Sequence, residues 1–506
     1  MAAPATAPVA APASGATITR EESRVIWLLL AAAFVAILNE TTMGVAIPHL
    51  IDDFGITAVA AQWLTTAFML TMAVIIPITG FLLRRFPTRV MFIAAMGLFS
   101  LGTLIAFLAP GFPLLLIARV VQASGTAIMM PLLMTTIMNV VPAHSRGRMM
   151  GRVSIVISLA PAIGPTMAGL VLDTVGWRWI FGIVLPIALL ALAAGAMWIR
   201  NLGETTRVAI DIPSVILSGF GFGGLVYGLS LLGGGGHGGA ETAESAAADA
   251  TTASLTLAAA LGVGSLSLAA FVWRQIRLQR TDDALLDLRV FRSLNFSLSI
   301  TQMAIMSLAF FGAITVLPLY LQRVVGISAL ETGLIVLPGA LAMGLAGPII
   351  GRIYDRFGTR ILLVPGAVIT SAMLWTYTTY TETTPVWFIA VAQTVLSLGL
   401  ALSFTPLFTA SLGSLPRRFY SYGSAIVGTI QQVAGAAGIA LLIGIMSAVT
   451  AAGVSAGLEE AAAGAAGTRA AFLVAAVLSL PLLIGAFLIR KPADEIAEDA
   501  PVIATH

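Results

Sequence analysis

Long apolar runs, each closed by a short polar or basic turn, recur along nearly the whole chain. They fall near 25–48, 61–83, 90–108, 114–138, 152–172, 180–199, 212–232, 254–273, 296–321, 332–350, 361–380, 386–410, 421–447 and 469–489. Each is close to the roughly 20 residues that a helix needs to cross the hydrocarbon core of a bilayer. The pattern predicts an all-α polytopic membrane protein with fourteen transmembrane helices. Residues 1–23, rich in Ala, Pro and Thr, read as a disordered tail. The first apolar run is too long for a signal peptide and is expected to stay as a helix.

Composition agrees with the pattern. Hydrophobic residues make up 58% and charged residues 10% of the 506, with a mean hydropathy of +0.99. A water-soluble fold of this size could not cover that much apolar surface. Charge then orients the spans, because loops on the cytoplasmic side collect Arg and Lys. Counted from an inside N-terminus, twenty-two basic residues fall in the tails and in loops on the tails' side. The opposite loops hold only Arg178, Arg323 and Arg469, and Arg119 alone lies well inside a span. Both termini are therefore expected in the cytoplasm; the bias of 25 arginines to one lysine, with abundant Ala and Gly, points to a bacterial cell and hence to its inner membrane.

Several chemistries are excluded. There is no cysteine, hence no disulfide, thiolate metal site or thiol nucleophile. The four histidines lack ligand spacing, and the single lysine, Lys491, rules out a Walker A loop. No Gly-x-Ser-x-Gly elbow occurs, which argues against a membrane-embedded hydrolase. No loop or tail is long enough to fold as an appended sensor domain. The arginines are spread over eight segments, which gives no nucleic-acid surface.

What remains is a small set of polar residues inside the spans. Glu40 is the one ionisable side chain between Val25 and Pro48. A carboxylate near the bilayer centre costs about 2.5–3.5 kcal/mol, so it persists where it is partnered or useful. It is a candidate to take and release a proton during a working cycle. Counting along helices 1 and 4 places Glu40 and Arg119 in the same outer half of the bilayer, where they could meet. Coupling and a permanent helix-locking ion pair both fit that pairing. A sequence echo gives the internal architecture: Gly80-Phe-Leu-Leu-Arg-Arg-Phe-Pro-Thr-Arg89 and Gly351-Arg-Ile-Tyr-Asp-Arg-Phe-Gly-Thr-Arg360 follow helices 2 and 10. Copies eight helices apart imply two six-helix halves with two helices inserted between them. The expected divisions are the tail 1–23, a first bundle 24–200, the inserted pair 201–285 with a flexible outside loop 233–253, a second bundle 286–490, and a tail 491–506.

With these motifs in view, the chain resembles the major facilitator superfamily, and in particular its fourteen-helix drug:proton antiporter branch, the EmrB/QacA-like exporters. Leu38–Pro48 resembles that branch's helix 1 signature, with Asn39 where an aspartate is usual and the acid displaced to Glu40. Gly80, Arg85 and Arg89 match part of the helix 2–3 loop motif, although Arg84 replaces an acid and Pro87 a glycine. The second copy, with Gly351, Asp355, Arg356 and Arg360, is nearer the pattern. The resemblance implies that these loops latch the halves together; topology and lipid-phosphate binding fit the first-half arginines equally well. Leu114–Gly125 resembles the helix 4 motif, whose arginine, here Arg119, is implied to act in proton transfer. Gly164, Pro165 and Gly169 match the helix 5 antiporter motif, a helix thinned by glycine and bent by proline.

The resemblance implies proton-driven export by alternating access, with protons as the coupling ion and no bound cofactor. Asn39, Gln122, Gln302, Met303, Met306, Phe310, Phe311, Gln393, Phe404, Phe408 and Gln431 are candidates to line a central cavity. Such a mix of thioethers, aromatic faces and amides suits small amphipathic or cationic substrates. For each residue taken alone, ordinary helix packing is the alternative role. A dedicated exporter of one metabolite, antibiotic or lipid-like product is the other reading of the same fold. Membrane lipids are the remaining expected partners, and a monomer is the expected unit.

Overall fold

The computed structural model describes residues 19–201, 211–232 and 243–492. Fourteen long helices run through these residues: α1 (Arg20–Phe54), α2 (Ala58–Arg85), α3 (Thr88–Leu108), α4 (Phe112–Val140), α5 (Arg146–Val175), α6 (Arg178–Trp198), α7 (Ile212–Leu232), α8 (Ala243–Leu278), α9 (Leu294–Arg323), α10 (Ala329–Phe357), α11 (Arg360–Tyr377), α12 (Val386–Gly413), α13 (Tyr420–Ser455) and α14 (Glu460–Leu488). All fourteen are long and apolar enough to cross a membrane. Their ends follow local chemistry. A capping box between Thr19 and Glu22 opens α1, and a second, between Ser328 and Glu331, opens α10. Gly55, at φ 59°, closes α1 in the left-handed region that glycine adopts without strain.

One boundary differs from the sequence reading. The segment 233–253 is expected as a flexible loop, but from Ala243 onward the chain is already helical. Alanine favours helix, and the helix begins at Ala243, ahead of the apolar span that starts at Thr252. Residues 233–242, like the tail residues 1–18 and 493–506, lie outside the described residues.

The packing repeats itself with an offset of eight helices. Pairs α1·α5, α2·α4, α3·α4 and α3·α6 in the first half reappear as α9·α13, α10·α12, α11·α12 and α11·α14 in the second. The seam between halves obeys the same rule, since α5 packs on α10 and α13 packs on α2. Lipid tails are as apolar as the side chains, so burial alone does not draw helices together there; close backbone approach does. At the α5/α10 crossing, a methyl group added at Gly147 or Gly151 would collide with the Gly351 or Gly347 carbonyl, and the reverse holds for Gly347 and Gly351. Both partners thus carry glycines four apart, one turn on each helix.

Polar contacts reinforce this seam on the face that carries the first and last helix ends. The Asp355 carboxylate on α10 accepts from the backbone N–H groups of Gly147 and Arg148, at 2.7 and 2.8 Å, and so caps the start of α5 from the other half. Arg146 donates to the Tyr420 hydroxyl at 3.1 Å, Thr135 to Ser424 at 3.1 Å, and Ser154 shares a 2.7 Å bond with Thr405. The halves are therefore shut against each other at that face.

The inserted helices α7 and α8 pair with each other, and α7 rides on α2 and α13 beside the seam. Asp211 and Arg274 tie their ends through two bonds of 2.7 Å, and the guanidinium holds the Asp211 carboxyl below its usual range. Gln275, fully buried, donates to Ser214 and accepts from the Leu286 N–H in the linker to α9. Two residues earlier, the Ala284 carbonyl accepts from Tyr422 on α13, whose hydroxyl also accepts from Arg84 on α2 at 2.5 Å. A continuous chain of bonds thus runs from the insert to the seam.

Gly351→Ala should open this face. Overpacking of a tight contact costs about 1–3 kcal/mol, and here the clash exists only while α5 and α10 touch. Because the chain has no cysteine, spin labels at cysteines introduced at positions 144 and 356 report the distance directly. A longer-distance population is expected in the variant relative to the parent.

Candidate functional site

Arg119 lies on α4 with 1% of its surface exposed, and its charge is met by several weak partners. Its Nη1 donates to Gln122 Oε1 at 2.6 Å, its Nε reaches the Leu64 carbonyl of α2 at 3.5 Å, and its guanidinium sits 4.1 Å from the centre of the Phe68 ring. Gln122 passes the interaction on, donating to Thr103 on α3 at 2.8 Å. This is possible because α3 and α4 touch through Gly102 and Gly125, where any side chain would strike the opposing backbone. A delocalised cation over an aromatic face, with an amide acceptor, is how a guanidinium is held without a carboxylate.

Glu40, on α1, is close enough to interact with Arg119 through space, yet no direct ion pair joins them among the described contacts. The expected meeting is an electrostatic coupling across a gap. Counting residues along a helix gives depth, but the azimuth turned Arg119 toward α2 and α3. Glu40 is only partly covered by protein, whereas its neighbour Asn39 is 1% exposed with neither amide atom hydrogen-bonded among the described residues. Asn39 therefore holds unused hydrogen-bonding capacity beside the acid, which is costly in a medium without water.

The α1 signature and the α5 motif prove to be two sides of one contact. Gly164 of α5 lies directly against Thr41 of α1, so that a methyl group there would collide with Thr41 Oγ1 and press on the Leu38 carbonyl. Thr41 returns its own hydroxyl to Leu38 at 2.9 Å. Pro165 lies within α5, and Gly169 has no atom close enough to demand glycine. Of the three motif residues, Gly164 is the one whose lack of a side chain is used.

The cavity candidates divide. Phe310 and Phe311 of α9 and Phe404 and Phe408 of α12 form an aromatic run, with successive ring centres 5.2, 6.0 and 6.5 Å apart. Phe311 also rests on Gly435 of α13. Met303 and Met306 are buried on the same helix as Phe310, and Gln431 is half-buried on α13. Three amides lie elsewhere. Gln122 belongs to the α3/α4 interface, Gln302 donates to the Pro481 carbonyl and packs on Gly485 of α14, and Gln393 accepts from the Tyr377 hydroxyl of α11 at 2.7 Å. Each is spent on a neighbouring helix, because an amide in hydrocarbon takes the nearest backbone or hydroxyl partner.

The loop motifs also settle into different tasks. Gly80 lets α2 approach Tyr422 and Ala425 of α13, and Arg84 binds and stacks on Tyr422, 5.1 Å from its ring centre. Arg89 caps the last turn of α6 at the Ala196 carbonyl, while Arg85 and Arg356 lie over the adjacent Phe86 and Phe357 rings. Arg360 opens α11. Gly351 and Asp355 carry the seam. Tyr422, Gly147, Gly151 and Gly347 escaped the sequence reading; the repeated Gly-x-x-x-Gly spacing on α5 and α10 was the signal available for three of them.

Two pseudo-repeated six-helix halves meeting along glycine-thinned helices, with a charged pair at membrane depth, define a transporter rather than an enzyme. The chain belongs to the Major Facilitator Superfamily, whose family model matches residues 29–439. It is 42% identical over 470 residues to the uncharacterized MFS-type transporter YcnB of Bacillus subtilis, covering 93% of this chain and 95% of that one. It is 38% identical over 469 residues to the lincomycin resistance protein LmrB of the same organism, covering 92% and 95%. In fold it resembles the human organic anion transporter MFSD10, with a TM-score of 0.62 at 12% identity over 92% of this chain and all of that one. It also resembles the proton:xylose symporter XylE, with a TM-score of 0.57 at 15% identity over 92% of this chain and 97% of that one.

Gly164→Ala is expected to destabilise the α1/α5 contact by about 1–3 kcal/mol. Adding Thr41→Ala removes the hydroxyl that the new methyl strikes, so the double variant should recover most of the loss. Thermal unfolding of the purified single and double variants measures both.

Proposed function

We propose that this transporter exports hydrophobic or cationic compounds by alternating access, in exchange for protons entering the cell. The observation that carries the reading is Glu40, an acid at membrane depth that is partly uncovered and lacks a direct ion pair among the described residues. An acid already locked to an arginine would have no use for a proton. Here Arg119 is satisfied by Gln122 and Phe68, which leaves the Glu40 carboxylate available. The lincomycin resistance proteins among the relatives support export of drug-like solutes, and their similarity extends over most of this chain.

In this reading the tails are cytoplasmic, as the basic loops require. The closed face is then the inner one. Charged Glu40 attracts a cationic solute when the halves open inward; a proton arriving from outside neutralises it and weakens that attraction. The aromatic run from Phe311 to Phe408 supplies stacking surfaces that tolerate varied shapes. Arg119 stays charged throughout and sets the local field that the proton must enter.

Glu40→Gln keeps the size and loses the proton. In membrane vesicles the variant should show at least tenfold slower proton-driven efflux of a fluorescent lipophilic cation, with solute-induced proton release absent. Export and proton release at the parental level would remove Glu40 from the mechanism.

A further inference from the structure

A groove of about 550 Å³ opens at the tail-bearing face, between the start of α1 and the end of α6, lined by Arg20, Ser23, Arg24, Trp27, Leu28 and Trp198. Its position is that of a membrane boundary: Trp27 and Trp198 are each 54% exposed, where indole rings settle between headgroups and acyl chains. Arg20 and Arg24 lie one turn apart on the same side of α1. Neither has a hydrogen-bond or ion-pair partner among the described residues. The acids beside them are engaged, Glu21 with Arg200 at 3.2 Å and Glu22 in the capping box with Thr19. A further cation, Arg152 of α5, lies 5.5 Å from the centre of the Trp27 ring. Arg89, bonded to the Ala196 carbonyl, offsets the negative end of α6.

We propose that this groove is a binding site for one anionic phospholipid, its phosphate held by Arg20 and Arg24 and the upper part of its acyl chain lying on Trp27, Leu28 and Trp198. Two cations without acidic partners, set over an apolar floor at the bilayer edge, match the two parts of such a lipid and of no soluble anion. The chain's own segments match less well. Residues 1–18 contain no acidic side chain. The C-terminal segment does, with Asp494, Glu495, Glu498 and Asp499, but it emerges from α14, in the half opposite to α1 and α6.

The test uses native mass spectrometry of the detergent-purified full chain, titrated with phosphatidylglycerol or phosphatidylcholine. Each basic residue near an anionic surface is worth about 1 kcal/mol, so Arg20→Gln with Arg24→Gln should weaken phosphatidylglycerol binding about 30-fold and leave phosphatidylcholine unaffected. Arg24→Lys, which keeps the charge, should bind nearly as the parent; should the double variant fail to fold, Arg24→Gln alone should lose about fivefold. Three results would overturn the proposal. The glutamine variants could retain the parental preference for phosphatidylglycerol, or millimolar inorganic phosphate could displace the lipid as effectively as a second lipid does. Or a chain ending at residue 492 could gain phosphatidylglycerol that the full chain lacks, which would assign the groove to the acidic tail. None of these readouts depends on export, so the result stands apart from that of Glu40→Gln.

Discussion

Backbone contact between α5 and α10 is the constraint on which the remaining arrangement rests. In a bilayer, apolar side chains gain little by leaving lipid for protein, so two halves hold together where their helices can come closest. Glycines one turn apart on both helices allow carbonyls and Cα atoms to touch, and the Asp355 carboxylate on the exposed N–H groups of α5 adds a directed bond at the same place. Only then do the peripheral hydroxyl pairs, Thr135 with Ser424 and Ser154 with Thr405, fall within reach. Short hydroxyl bonds of this kind rearrange readily, whereas the glycine contact admits two states, touching or apart.

The two copies of the loop motif reach the same end by different chemistry. In the second half an acid caps a helix start; in the first, Arg84 stands at the equivalent place and a helix start would repel it. It turns instead to the hydroxyl and ring of Tyr422. The following turn differs as well: Gly358 takes φ 84°, while Pro87 at φ −60° begins α3 directly. The seam is symmetric in its helices and asymmetric in its bonds.

Much of this was legible from residues alone, and the exceptions have physical reasons. Helix number, the doubled architecture and the capping box at Ser328 follow from periodicity and local hydrogen bonding, which sequence records. Counting along the helices also placed Glu40 and Arg119 within reach of each other, and the two do interact through space. Rotation about the helix axis was not readable, because it depends on which neighbour offers the closest backbone; Gly102 and Gly125 decided it for α4 and drew Gln122 into the α3 interface. Gln302 and Gln393 illustrate the same point, each bound to whichever helix lay alongside. The alanine-rich start of α8 shows the reverse limit, since a composition that permits a flexible linker also permits a helix.

The bond chain from Gln275 through the 284–286 linker to Tyr422 bears on how the additional pair of helices came to be kept. A cassette merely threaded between two domains could be excised and its ends rejoined. Here excision would strip the Ala284 carbonyl from Tyr422 and leave the Leu286 N–H without Gln275, so a shortened descendant would need to reinvent that corner. The pair has become a tenant whose departure would damage the house.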